Sequence, residues 1–475
     1  MSLKNEKALI WSMIFLYIVV FGVFSCMRHY NFQTQAFDMG IFNQSFWNTI
    51  HGHFMDYSFE EILGIKNHFA MHWSPILILL VPGYAVFPSP YFLIIVQTLA
   101  LALGAWPLYL LAKKVLGENK KWALLISAAY LIFPSLHWVN NYDFHELSFL
   151  VPLLIAAFYF IEKQNWWLVG LFSFLAASVK EDAILIAAFV GLYLLIKKNS
   201  DGGKQRKIGL IIFILTITYF IIAAKIFMPA FGGGIYHLSR YAYLGDTPSQ
   251  IIGNLFSNPG LFIDAVFSIK NLSYIFWLLL PLAFLPVFSG RMLIILLPGL
   301  AENLLSSWGV QSTGMYQYDA LLIAGLFVCL VYGLKNVLDR LPAKEKSIRW
   351  ALIVCSGTAF ILRSPISPIN FPVGLFEKNS QWETYREIVS VIPDKASVSA
   401  QTNIAAHLSG REKIYMLGTE PEQTDIVIID GADLSGFADE QSLQNYADKY
   451  MNSGNYNYSA IKERYFIFIN KSLLK

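Results

Sequence analysis

SPILILLVPGYAVF, residues 74–87, decides which way the rest of the chain faces. It holds about a dozen apolar residues, is interrupted by Pro82-Gly83 and is followed by Pro88-Ser89-Pro90. A helix needs ~20 apolar residues to cross a bilayer. The segment is short for that, and reads as an interfacial or re-entrant helix. If it crossed the membrane, every later loop would change sides.

The surrounding sequence places it in a membrane protein. The chain has 475 residues, of which 56% are hydrophobic and only 14% charged, against ~25% charged in soluble domains. The apolar residues come in runs. About eleven spans are expected, near 8–26, 91–112, 122–138, 147–161, 166–179, 183–196, 208–228, 272–288, 292–306, 318–334 and 350–362. The first is read as a retained helix, because no small-residue cleavage site follows its apolar run. With 74–87 lying in the interface, eighteen Lys and Arg fall in the loops at 4–7, 113–121, 163, 197–207, 291 and 335–349. The opposite loops hold five: Arg28, Lys66, Lys180, Arg240 and Lys270. The positive-inside rule then puts the N-terminus in the cytoplasm and the C-terminus outside a plasma membrane crossed many times. A net charge of +3 gives no case for nucleic acid, and Cys26, Cys329 and Cys355 have no metal or disulfide spacing.

After residue 362 the composition changes. Pro365, Pro368 and Pro372 mark a linker, and apolar density falls. WETYREIVSVI reads as an amphipathic helix, ASVSAQT as a strand, NIAAHLSG as a short helix and KIYML as a strand. TDIVIID reads as a buried strand, ADEQSLQNYADKYMNSG as a helix and YNYSAIKERYFIFIN as a closing strand pair. The expected organisation is an all-α polytopic domain, 1–362, followed by a small extracytoplasmic α/β domain, 363–475. That domain lacks a glycine-rich phosphate loop, and a lid or cap is its simplest role.

The polar residues that are hardest to explain all fall on the outer side. Loop 27–90 carries Asp38, His51, His53, Asp56, Glu60, Glu61, His68 and His72. The second outer loop carries Tyr142, Asp143, His145 and Glu146; a third, tight turn is Lys180-Glu181-Asp182. Glu302 lies near the outer end of its span, and Tyr316 and Tyr318 open the next. Ionisable groups near hydrocarbon are costly unless they face a cavity or partners. Each also has a structural explanation. Asp56, Glu60 and Glu61 suit a solvated helix face, and His51 and His53 a loop surface. Asp143 and Glu146 suit caps of the following helix. Lys180 with Glu181 or Asp182 suits an ion pair across the turn. His68 and His72 have i, i+4 spacing, a weak metal signal without a third ligand. Gly232-Gly233-Gly234 with Tyr236, His237 and Arg240 suits a mobile loop over a substrate or an ordinary surface loop.

The runs Phe37-Asp38-Met39-Gly40, His68-Phe69, His72-Trp73-Ser74-Pro75, Phe144-His145-Glu146 and Lys180-Glu181-Asp182 resemble an uncharacterised family of prokaryotic multi-spanning membrane proteins. That family is similar to the GT-C superfamily of integral-membrane glycosyltransferases, which includes protein O-mannosyltransferases, aminoarabinose transferases and oligosaccharyltransferases. The resemblance implies a GT-C-like fold and sugar transfer from a polyprenyl-phosphate lipid to an extracytoplasmic acceptor, with Asp38 as general base. Lys180 and Arg240 are candidates to stabilise the leaving phosphate, and Glu302, Tyr316 and Tyr318 to line the substrate site. Many GT-C enzymes carry two adjacent acids in the first outer loop; here Met39 follows Asp38, which leaves metal use open. Candidate ligands for a divalent metal are His68, His72, His145, Glu146, Glu181 and Asp182.

A transporter or lipid flippase with an outward-facing polar cavity is the alternative. Transporters often contain internal repeats, and neither the Phe-Asp-Met-Gly nor the Lys-Glu-Asp segment recurs in the second half. A mere membrane anchor would not need eleven spans.

Overall fold

The computed structural model describes residues 3–198, 203–420 and 423–474. Each predicted apolar segment lies on helix. The first runs as α1 (Leu3–Tyr30), and α2 (Ile41–Ile50) follows the first turn of the loop after it. Ser89 caps α3 (Pro90–Leu103), which continues into α4 (Ala105–Val115). Asn119 caps α5 (Lys120–Leu131), and Pro134 starts α6 (Pro134–Asn141) at a 43° bend, since proline cannot continue the preceding hydrogen-bond ladder. Then come α7 (Leu150–Glu162), α8 (Trp166–Ala177), α9 (Glu181–Ile196), α10 (Lys204–Ile222) and α11 (Ile269–Leu279). The set closes with α12 (Leu297–Leu304), α13 (Ala320–Arg340) and α14 (Glu345–Arg363).

Among the described residues, five helices are long and apolar enough to cross a membrane, or seven if each bent pair is one span. Helices such as α8, with 12 residues, are shorter than the bilayer core requires. The 74–87 segment is helical in two short pieces, Pro75–Leu80 and Val81–Val86, and leaves Leu79, Val86 and Phe87 exposed. That suits a helix lying at an interface.

The centre of the bundle is α13, whose residues from Ala320 to Val331 are all buried. It packs against the helical run Leu285–Leu296 so closely that a Cβ on Gly333 would lie 2.0 Å from the Leu285 carbonyl oxygen. Only glycine fits there.

The C-terminal part follows the sequence reading element by element. It contains α15 (Ser380–Ser390), α16 (Thr402–His407) and α17 (Glu440–Asn452), the last opened by an Asp439–Ser442 capping box. Strands β1 (Val398–Ala400), β2 (Ile414–Met416), β3 (Ile426–Asp430), β4 (Tyr456–Ile461) and β5 (Tyr465–Asn470) form one sheet in the order β2-β1-β3-β5-β4. β1 pairs in parallel with β2 and β3, while β5 is antiparallel to β3 and β4.

This sheet does not have its core to itself. Phe32, Ile41, Tyr57 and Phe59 of the first loop share one apolar cluster with Tyr385, Ile388, Val398 and Ile404. Ser58 Oγ donates to the Ile414 carbonyl at 2.6 Å and accepts the Ile414 N–H at 2.9 Å. His29, at the end of α1, stacks on His407 with ring centres 4.1 Å apart. The first loop is thus held between the helices and the sheet.

Candidate active site

Asp38 sits in a single π-helical turn, Ala36–Gly40, between the extended Gln35 and α2. Such turns are rare and recur at functional sites. Two bonds anchor the turn. The Gln35 N–H donates to Asp143 Oδ2 at 2.6 Å, and the Ala36 N–H donates to Thr402 Oγ1 at 2.9 Å. Asp143 therefore holds the first loop and does not cap the next helix, which has no side-chain cap.

Two groups address the Asp38 carboxylate. His145 Nε2 lies 3.0 Å from Oδ1, and the Tyr142 hydroxyl donates to Oδ2 at 2.8 Å. The other ring nitrogen of His145 faces the Asp143 carbonyl oxygen at 3.0 Å. Both partners are acceptors, so only the imidazolium, with two N–H donors, satisfies both. Burial pulls the His145 imidazole down, but the Asp38 carboxylate outweighs it and raises it above its ordinary value. Burial pushes Asp38 up, and the His145 hydrogen bond and charge, with the Tyr142 bond, bring it below the usual carboxylate range. Burial, with the Asp38 charge beside it, pushes Asp143 up to about 6 against the pull of Arg28. Gln97 of α3 sets this loop: its Oε1 accepts from the His145 N–H at 2.8 Å and from Ser148 Oγ at 3.1 Å.

Asp38 faces a cavity of about 450 Å³. Of the residues singled out from sequence, the cavity wall includes Asp38, Lys180, Arg240, Tyr316, Tyr318, His68, His72, His145 and Glu146. Loop residues more than 200 positions apart in sequence meet here. Glu302, Glu181 and Asp182 stand behind the wall. Glu181 accepts from His72 Nδ1 and from the Trp73 N–H, both at 2.9 Å. Burial and the Lys180 charge keep His72 neutral, so this contact is a hydrogen bond rather than an ion pair. Lys180 Nζ lies 3.2 Å from Asp182 Oδ2, and Glu302 adjoins Asp182. Burial would lower Lys180, but Asp182, Glu181 and Glu146 raise it, so it stays charged.

Arg240 lies on a 3-10 turn, Tyr236–Leu244, with its guanidinium 5.9 Å from the Trp308 ring centre and 5.7 Å from that of Tyr318. Among the described residues no carboxylate is within ion-pair distance of it. The turn is tied down by the glycine run before it. Gly234 N–H donates to the Ala70 carbonyl, and a Cβ on Gly233 would lie 1.8 Å from that same oxygen.

The six candidate metal ligands are not gathered into one set. Among the described residues no three His, Cys, Asp or Glu side chains converge on a shared ion position. His145 is engaged by Asp38 and His72 by Glu181.

Four residues of the site were given no specific role by the sequence reading. Tyr142 and Gln97 were visible as polar side chains at a loop and inside an apolar run. Glu60 was expected on a solvated face; instead it lines the cavity and accepts from the Tyr57 hydroxyl at 2.5 Å. Burial raises it despite that bond. His237 lines the same wall, 5.1 Å from His72 ring to ring.

The cavity lining thus carries a carboxylate held ionised and two cations, Lys180 and Arg240. Such an arrangement can accept a proton from a substrate and stabilise anionic charge that develops on it.

The profile of a family described as "Predicted membrane protein (DUF2079)" matches residues 28–465. No curated protein is similar to the chain in sequence. Among solved structures, ArnT from Cupriavidus metallidurans bound to undecaprenyl phosphate is similar at a TM-score of 0.54 and 11% identity, covering 98% of each chain. The oligosaccharyltransferase of Archaeoglobus fulgidus is similar at a TM-score of 0.46 and 11% identity, covering 96% of this chain and 74% of its own. The first likeness shows a shared GT-C-like fold.

Proposed function

The chain belongs to the DUF2079 family of predicted membrane proteins, and from that premise we propose that it is a membrane glycosyltransferase. It moves a sugar from a polyprenyl-phosphate donor to an acceptor on the extracytoplasmic side. The observation that carries the reading is Asp38, held ionised by His145 and Tyr142 in a cavity whose wall also carries Lys180 and Arg240. The fold shared with ArnT, a protein solved with undecaprenyl phosphate, supports the donor class.

In this reading the acceptor hydroxyl or amine gives its proton to Asp38 as its lone pair attacks the anomeric carbon. The bond from that carbon to the phosphate oxygen breaks, and the electron pair leaves with the phosphate. Lys180 and Arg240 stabilise the charge that develops there. One displacement by one base inverts the anomeric centre and needs no covalent intermediate. Outward placement of the cavity, the C-terminal domain outside and eleven crossings complete the proposal.

Asp38→Asn keeps the shape and removes the base. A positioned general base contributes ~10²–10⁴-fold to rate. A strain lacking the protein should accumulate its lipid-linked sugar, which names the donor. Wild type should clear that lipid, and the Asp38→Asn variant, present at equal level, should not. Clearance by the variant at the wild-type rate would refute the assignment.

A further inference from the structure

Away from the Asp38 cavity, two more cavities lie end to end along α1. The outer one, about 380 Å³, is lined by Phe24 and Arg28 of α1, Trp138 and Asn141 of α6, and Leu362 and Arg363 of α14. The deeper one, about 230 Å³, continues down the same three-sided seam. Its wall is Met13, Leu16 and Val20 of α1, Leu131 of α5 and Phe360 of α14, and is almost wholly apolar. The one imidazole on it, His137, has both nitrogens engaged, by Ser364 Oγ and the Leu131 carbonyl.

Arg28 and Arg363 each stand in the last turn of a helix, where the dipole tolerates a cation. That alone does not bring them to one cavity. Arg28 forms a loose ion pair with Asp143 at 3.7 Å, whereas among the described residues no carboxylate is within ion-pair distance of Arg363. Arg28 spends donors on the Asn141 and Gln33 carbonyls, and Arg363 spends one on the Thr313 carbonyl at 2.8 Å. Each guanidinium has five N–H donors, so both keep several for a ligand. A planar pair of this kind matches phosphate.

We infer that this seam binds one anionic phospholipid, with its phosphate between Arg28 and Arg363 and one acyl chain in the groove below. Length selects the occupant. From Met13 to Phe24 a helix rises about 16 Å at ~1.5 Å per residue. One leaflet contributes about 15 Å of a ~30 Å hydrocarbon core. A single-leaflet acyl chain fills that length, whereas a polyprenyl chain overruns it. The lipid would also bear on the site. Arg28 grips the Asn141 and Gln33 carbonyls, on either side of the bond from Gln35 to Asp143 that anchors the Asp38 turn.

The inference is independent of glycosyl transfer, and its test reads binding. Purified full-length protein in detergent is titrated with phosphatidylglycerol and followed by native mass spectrometry, with phosphatidylcholine and undecaprenyl phosphate as separate arms. One phosphatidylglycerol should bind per chain, and phosphatidylcholine should bind at least about tenfold more weakly. Arg363→Gln should weaken phosphatidylglycerol about tenfold. Val20→Trp, at a partly exposed groove position, should block it while leaving both arginines in place. Undecaprenyl phosphate should not compete, and Asp38→Asn should bind phosphatidylglycerol as wild type does. Equal binding of the two phospholipids, binding by Arg363→Gln within about twofold of wild type, or one-for-one displacement by undecaprenyl phosphate would each overturn the inference. The last result would assign the seam to a polyprenyl lipid instead.

Discussion

Replacing His145 by glutamine tests the pair that holds Asp38. In the native site the imidazolium donates to Asp38 and to the Asp143 carbonyl, each at 3.0 Å. Glutamine keeps a donor and loses the charge. Its bond to the carboxylate remains, but the bond from the charged ring to the Asp143 carbonyl, of a kind worth ~1.5–3 kcal/mol, is lost, so the variant should lose about 1–2 kcal/mol. The two side chains are only 10% and 20% exposed, so solvent screening removes little of this. The loss has a definite pH dependence. Asp38 lies below its ordinary 3.8 in the folded protein, so its share is complete above 3.8 and disappears as pH falls through the folded value. His145 lies above 6.5, so its share is complete below 6.5 and disappears as pH rises through the folded value. The stability difference between wild type and His145→Gln should therefore be greatest between those two ordinary values and shrink on both sides. Denaturant unfolding in micelles across that range measures it. A difference that does not change with pH, or a variant as stable as wild type inside the window, would refute the ion-pair assignment. In a transfer assay the acid limb of kcat/KM should move to higher pH, because burial then acts on Asp38 with less opposition.

Four further outcomes are expected. Arg240→Met should leave stability nearly unchanged, because no carboxylate pairs with it, yet weaken undecaprenyl phosphate binding about ten- to hundredfold; undiminished binding in a fluorescence titration would remove Arg240 from the phosphate site. Lys180→Met should instead destabilise by about 3 kcal/mol or more, because it leaves the Asp182–Glu302 neighbourhood uncompensated, and a thermal melt like that of wild type would contradict this. Gly233→Ala should free the segment around Tyr236–Leu244, since the new methyl collides with Ala70, and costs about 1–3 kcal/mol; limited proteolysis should then cut there first, and an unchanged digestion pattern would show that the loop is not pinned. In a cysteine-free background, Ser89→Cys should react with an impermeant maleimide added outside cells and Glu118→Cys should not. The reverse pattern would turn the proposed topology over.

The α/β part was legible because its signals are local. Asp439 and Ser442 announce a helix start, and β3, four apolar residues followed by Asp430, is buried throughout. The helices were equally legible as apolar runs, but their ends were not. Pro134 breaks one predicted span and the left-handed Ala283 and Phe284 break another, and the sequence period does not record a bend. At the site, residue types pointed to the right loops. Partner choice did not follow from them, because it is set by tertiary packing. Asp143 looks like a helix cap until Gln35 is brought to it, and Glu60 looks solvated until the Tyr236–Leu244 turn closes the same cavity. Gln97 carried the clearest missed signal, an amide inside a run of leucines and isoleucines, where an unpaired polar group would be costly.

The shared cluster between the first loop and the sheet sets an order of assembly. Ala36 is bonded to Thr402 and Ser58 to Ile414, contacts that close 366 and 356 residues of intervening chain. Domains generally fold as they emerge from the ribosome, but this loop reaches its final shape only after the sheet is made. Until then the nascent chain holds Asp38 on a segment without its apolar backing. Truncations that remove β1 to β5 should therefore silence the protein while sparing the helices, and membrane quality control would meet the first loop as the last part to become ordered.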